Sequence, residues 1–217
     1  MKELISILVV LIALTQNAVA ETLNMPMFTH LSPWSNGTTA SIKSNDGKAH
    51  GEITSFRPLA DNETNPKNIA SMTVVTGLPK NIGAIEYLTL LAQGMQQNCE
   101  TMQLTRPKLL LEKHTPVSYA TLYCSKIKKL DIGVIQTIKT LQGKDTMYAV
   151  IREWRVPSYN FDIKPSITEQ FANSIFKSPS EASDWIQQMT DANDHLANQV
   201  SICANKQGEF GDACASQ

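Results

Sequence analysis

The chain has almost no charge imbalance. Nineteen Lys and Arg stand against twenty Asp and Glu, a formal net charge of -1. That balance removes the electrostatic case for nucleic acid or for an anionic membrane surface as a partner. Catalytic signatures are missing as well. There is no G-x-S-x-G nucleophile elbow, H-E-x-x-H zinc helix, Walker A loop, EF-hand loop or dinucleotide-binding glycine pattern. No C-x-x-C pair is present, so thiol redox chemistry has no motif to rest on. No second apolar run follows the first one at the N-terminus, so a soluble product without a stable membrane anchor is expected.

What is present begins at Lys2, ahead of the apolar stretch Leu4–Leu14, polar only at Ser6, and the Ala18-Val19-Ala20 tripeptide. A positive start, a short greasy run and an A-x-A site have the anatomy of a secretory signal peptide over residues 1–20, cleaved after Ala20. The mature chain then starts at Glu21 and is periplasmic or secreted. No Cys follows the cleavage point, which argues against a lipoprotein anchor.

All four cysteines, Cys99, Cys124, Cys203 and Cys214, lie in the mature part. An even number in an exported chain reads as two disulfides. Neighbours in sequence meet most easily, which favours Cys99–Cys124 with Cys203–Cys214, each stabilising the fold by about 3 kcal/mol. The competing reading, a zinc site from Cys203, Cys214 and His195, suits an oxidising compartment less well.

The segment 21–68 is rich in Asn, Ser, Thr, Pro and Gly. Asn45-Asp46-Gly47 is a turn sequence between two strand-like stretches, Thr38–Ser44 and His50–Phe56, and suggests a hairpin. Met25, Met27, Phe28, Leu31 and Trp34 give this arm an apolar character suited to covering the core.

From residue 69 to 217 the pattern reads as a core domain. Met72–Val75 is a short buried strand. Asn81 is placed to cap a helix whose apolar positions are Ile85, Leu88, Ala92, Met95 and Cys99. Strands follow at Lys108–Lys113, Val117–Tyr123, Ile132–Leu141 and Thr146–Val156. Pro165–Phe176 reads as a helix. Ser178-Pro179-Ser180-Glu181 opens another, with Trp185, Met189, Leu196 and Val200 as its buried stripe and an end near Cys203. The tail to Cys214 reads as a loop stapled by a disulfide. The expected fold is α+β: an antiparallel sheet of about four to six strands, with about three helices on one face and two disulfides.

Candidate chemistry is sparse, and no cofactor, catalytic or metal site is expected. His30, His50 and His114 lie in loop or turn contexts. Asp184, Asp191 and His195 share one helix face, a geometry that suits a divalent metal but equally a solvated face with an i, i+4 pair. Arg152, Trp154 and Arg155 form a candidate binding patch, since arginine and aromatic side chains recur in interfaces. Arg152 and Trp154 point one way on a strand and Glu153 and Arg155 the other. Lys126, Lys128 and Lys129 make a basic bend that discourages edge pairing.

These features point to an exported, non-enzymatic binding or accessory protein of a bacterial-type envelope or exterior, with a protein partner: a secreted factor, an inhibitor or an envelope-assembly component. The alternative is a secreted hydrolase using His114, Asp145, Glu153 or the Asp191–His195 pair. A third reading, a small-ligand carrier, requires an apolar cavity between sheet and helices.

Overall fold

A computed structural model describes residues 21–25, 33–43, 47–61 and 66–204. The leader at 1–20 lies outside the described residues, as do Met27, Phe28, His30, Leu31 and Cys214.

The elements run β1 (Glu21–Asn24), β2 (Thr38–Lys43), β3 (His50–Phe56), β4 (Asn68–Thr76), α1 (Ala84–Gln96), β5 (Met102–Leu104), β6 (Lys108–Glu112), β7 (Thr115–Cys124), β8 (Ile132–Gln142), β9 (Thr146–Pro157), α2 (Glu169–Ile175), α3 (Pro179–Asn198) and β10 (Ser201–Ala204). The architecture is α+β. Eight strands form one antiparallel sheet in the order β2-β3-β4-β9-β8-β7, with β5 and β6 end to end along the outer side of β7. The sheet is thus larger than the four to six strands expected. The short strands β2, β3 and β5 carry weak alternation, yet each finds a partner once the long strands are in place.

The helices lie on both faces of the sheet, not on one. The reason is visible in β8, whose residues from Gly133 to Leu141 are all buried. Val134 and Ile138 pack with Leu88 and Ala92 of α1. Ile135 and Leu141 pack with Phe171 of α2 and Trp185 and Met189 of α3. A strand buried on both faces reads as a continuous apolar and β-branched run rather than an alternating one, which is what Ile132–Leu141 shows.

Other boundaries differ in instructive ways. α1 is capped at Gly83, whose N–H donates to Glu86 Oε2 at 3.0 Å, and not at Asn81. The helix after Pro165 is shorter than the apolar marks suggest, since Thr168 caps it and accepts from Phe171 N–H. α3 does begin at Pro179 after Ser178, but without the side-chain cap; the Ser178 hydroxyl meets Ser180 instead, at 2.6 Å. α3 also stops at Asn198. The stretch expected to finish the helix near Cys203 is instead a strand, Ser201–Ala204, that pairs antiparallel with β1. This ribbon brings Leu23 and Met25 against the main core, and Trp34 packs there too, so the apolar arm covers the core as far as it is described.

One disulfide is seen among the described residues where two were expected. It joins Cys99, just past α1, to Cys124 at the end of β7, with Cα atoms 5.6 Å apart. The Cys203–Cys214 pairing involves Cys214 and lies outside the described residues. The basic bend has a structural task here: Lys128 Nζ donates to Gln97 O at 2.9 Å, supplying a cation at the C-terminus of α1. No helix among the described residues is long and apolar enough to cross a membrane.

Candidate functional site

β6 and β7 are joined by a two-residue turn, Lys113-His114, and both residues have positive φ, 45° and 70°. This is the pattern of the type I′ loop, whose twist matches that of the flanking strands and which ordinarily takes Asn-Gly. Left-handed backbone costs about 1–2 kcal/mol for each residue with a Cβ. The chain accepts that strain at a turn that carries one wall of a cleft.

The cleft, about 330 Å3 in volume, opens between this hairpin and the corner where α3 gives way to β10. Val117, Leu141, Val200 and Ile202 supply its apolar surface, and Glu112 and Asn198 its polar edge. One wall comes from the β6–β7 hairpin and Leu141 of β8, the other from Ala197–Ile202.

Directly behind Glu112 lies an ionic knot. Lys139 sits in the middle of β8 with a fully buried side chain. Its ammonium donates to Glu112 Oε2 at 2.7 Å, to Leu196 O at 2.8 Å and to Val200 O at 2.7 Å. It also lies 4.9 Å from the centre of the Tyr119 ring. Tyr119 Oη donates to the other carboxylate oxygen of Glu112. All three ammonium protons are therefore used, which is what burial of a charge requires. Burial pushes the Lys139 pKa down, against the pull of Glu112. Burial pushes the Tyr119 phenol up, and Glu112 adds to the rise. The cation neutralises the carbonyl end of α3 and fastens it to the sheet. The carboxylate in turn fastens β6, so both walls of the cleft are tied to one ammonium. With both Glu112 oxygens engaged, the cleft offers shape and polarity for recognition.

The candidates named from sequence are dispersed. Arg152 and Trp154 share a face of β9, as strand alternation requires, but that face lies inward. Arg152 has no exposed surface, and Trp154 is 3% exposed. The guanidinium is held between the rings of Trp34 and Trp154, at 5.0 and 4.7 Å from their centres. It donates to Ile69 O at 3.1 Å and to Asn68 Oδ1 at 3.3 Å. Burial lowers its pKa to about 9, with Asp61 and Glu153 opposing the shift. Trp154 Nε1 donates to Gln188 of α3 at 3.1 Å. Arg155 lies on the opposite face, where its Nε meets Glu153 Oε1 at 3.2 Å. The three therefore do not form one surface patch, and Arg152 acts as a clamp on the N-terminal arm.

His114 and Asp145 come to the same end of the sheet, because the Val117↔Leu141 register sets the β6–β7 turn beside the β8–β9 turn. Both are exposed. Glu153 lies farther along β9, accepting from Gln136 Nε2 at 2.8 Å. On α3, Asp184 is exposed and His195 is buried, while Asp191 accepts from Gln187 at 2.8 Å. Among the described residues no group of three or more His, Cys, Asp or Glu is placed to hold a metal ion.

Lys139, Glu112 and Tyr119 were not singled out in the sequence. A signal existed: a lone Lys inside Ile132–Leu141, a run otherwise suited to complete burial, demands a buried counter-charge. Its partners, 27 residues upstream and 57 to 61 downstream, could not be read from spacing. The chain matches no protein-family model, and comparison with curated proteins finds no significant match.

Proposed function

We propose that the chain is an exported, non-enzymatic binding or accessory protein of a bacterial-type envelope or exterior, and that it recognises a protein partner through the cleft between the β6–β7 hairpin and the α3–β10 corner. The observation that carries this reading is a concavity with an apolar surface, a polar edge, and behind it an ionic knot that ties both walls together. Two features support export. The first twenty residues have the leader pattern, and Cys99–Cys124 is a bond at home in an oxidising compartment. The dispersal of His114, Asp145, Glu153 and the Asp191–His195 pair over turns, strand and helix favours recognition over turnover.

The test compares the processed wild-type chain with Asn198→Trp, which fills the cleft from its exposed rim. Capture from the native host's envelope fraction should retain one partner on wild type and lose it on Asn198→Trp. Hydrolysis of an ester, peptide or glycoside panel that disappears in His114→Ala would instead establish the hydrolase reading.

A further inference from the structure

The outer side of β6 is paired with no strand among the described residues. It carries Leu109, Leu110 and Leu111, which are 57%, 48% and 69% exposed. A flat, leucine-rich open edge is a template for strand addition unless something covers it. The two-residue turn fixes which backbone groups are available. Glu112 and Thr115 flank the turn as a hydrogen-bonded pair, so Leu110 and Lys108 also bond inward to β7. The N–H and C=O groups of Leu109 and Leu111 therefore point outward.

The strand's sequence is self-complementary. Lys108-Leu109-Leu110-Leu111-Glu112 reversed about Leu110 sets Lys108 against Glu112 and Leu109 against Leu111. From this we infer that β6 is the seam of a homodimer, pairing antiparallel with β6 of a second copy across a twofold axis at Leu110. In that register Leu109 of one copy and Leu111 of the other exchange both backbone bonds, and the exchange occurs twice by symmetry. Lys108 comes opposite the second copy's Glu112, also twice, giving a carboxylate that already accepts from Lys139 and Tyr119 one further cation. The leucines pack side by side across the seam. Pro107, at the next outward-facing position, has no N–H to offer, so pairing stops after five residues. The interface is isologous and closes as a dimer instead of growing into fibres. A heterologous strand partner would have no reason to match the palindromic charge order. Glu112 belongs to the cleft as well as to the seam, but the pairing register does not depend on the function proposed for the cleft.

Sedimentation equilibrium over a concentration series, with three variants, tests it. The wild-type chain should show a reversible monomer–dimer equilibrium. Lys108→Glu, which sets two carboxylates opposite each other at both ends, should weaken association about tenfold or more. Leu110→Cys places two thiols at the twofold, where facing Cα atoms lie about 4.5 Å apart, and should give a dimer resistant to non-reducing denaturation. Leu109→Cys faces Leu111, not itself, and should crosslink poorly. A wild-type chain still monomeric at about 0.1 mM would overturn the inference. So would open-ended oligomers, or crosslinking through Leu109→Cys as efficient as through Leu110→Cys. Circular dichroism of each variant separates loss of association from loss of fold.

Discussion

The two edges of the main sheet share a backbone geometry and differ in nearly everything else. β2 is polar: Thr38, Thr39, Ala40, Ser41 and Lys43 are exposed, only Ile42 is half-buried, and its cross-strand contact is a hydroxyl pair, Thr39 with Thr54 at 3.0 Å. β6 offers three bare leucines to solvent and is anchored through Glu112 to the ammonium at the centre of the fold. A polar edge satisfies its outer backbone groups with water and invites no partner. An apolar edge held rigid is suited to association. The contrast shows that the protein guards one side of its sheet by composition and leaves the other open.

The largest effect that can break this contrast lies beneath β6. Lys139→Ala removes a buried cation from a carboxylate and two helix-end carbonyls, and should cost about 3 kcal/mol, at the low end for broken buried pairs because Glu112 keeps some access to water. Lys43→Ala at the polar edge should change stability by less than about 0.5 kcal/mol. Guanidinium unfolding of the two variants side by side checks both values.

Alkaline pH sharpens the contrast next. Burial raises the phenols of Tyr87, Tyr119 and Tyr159 well above their ordinary range, and that of Tyr123 to about 12. A phenol whose pKa is raised on folding holds its proton longer in the native state. Its contribution is complete below pH 10 and lost as pH climbs toward the folded value, roughly 3 kcal/mol for Tyr123. The lowered pKa values of Arg152 and Lys139 act with the opposite sign, their charging penalty being relieved at high pH. Four phenols outweigh two cations, so stability should decline above pH 10. β2 and β3 hold no tyrosine. The phenolate absorbance of these four residues should therefore appear together with loss of the helix-covered core, as followed by far-ultraviolet circular dichroism.

The smallest change in stability belongs to a transplant. Thr39→Leu with Ser41→Leu makes β2 resemble β6, and should leave unfolding within about 0.5 kcal/mol of wild type. It should nevertheless create concentration-dependent association by a second edge, measurable by light scattering. No new association would mean that leucine exposure alone does not make an edge sticky.

Much of the fold was legible. The two longest strands announced themselves through β-branched density: Ile132–Leu141 and Thr146–Val156 became β8 and β9 within one residue at either end, whereas Met72–Val75 marked only the middle of the nine-residue β4. Pro179 after Ser178 marked the start of α3 correctly. The short elements were not legible, since β1, β5 and β10 have only three or four residues and are held by partners distant in sequence. The cleft was invisible for the same reason. Its residues come from three separate stretches of chain, and the charge behind it is neutralised by groups with no local relation to it.

Local sequence determined the character of the longer segments: a strand where branched side chains crowd, a helix where a cap meets a periodic apolar stripe. Those choices depend on interactions within a few residues and so are written along the chain. Tertiary structure alone decided that the helices divide between two faces, that Lys139 is buried beside Glu112, and that the leucines of β6 remain uncovered at an edge. Each of those outcomes depends on which distant segments come into contact, and a buried charge or a bare edge has no meaning until they do.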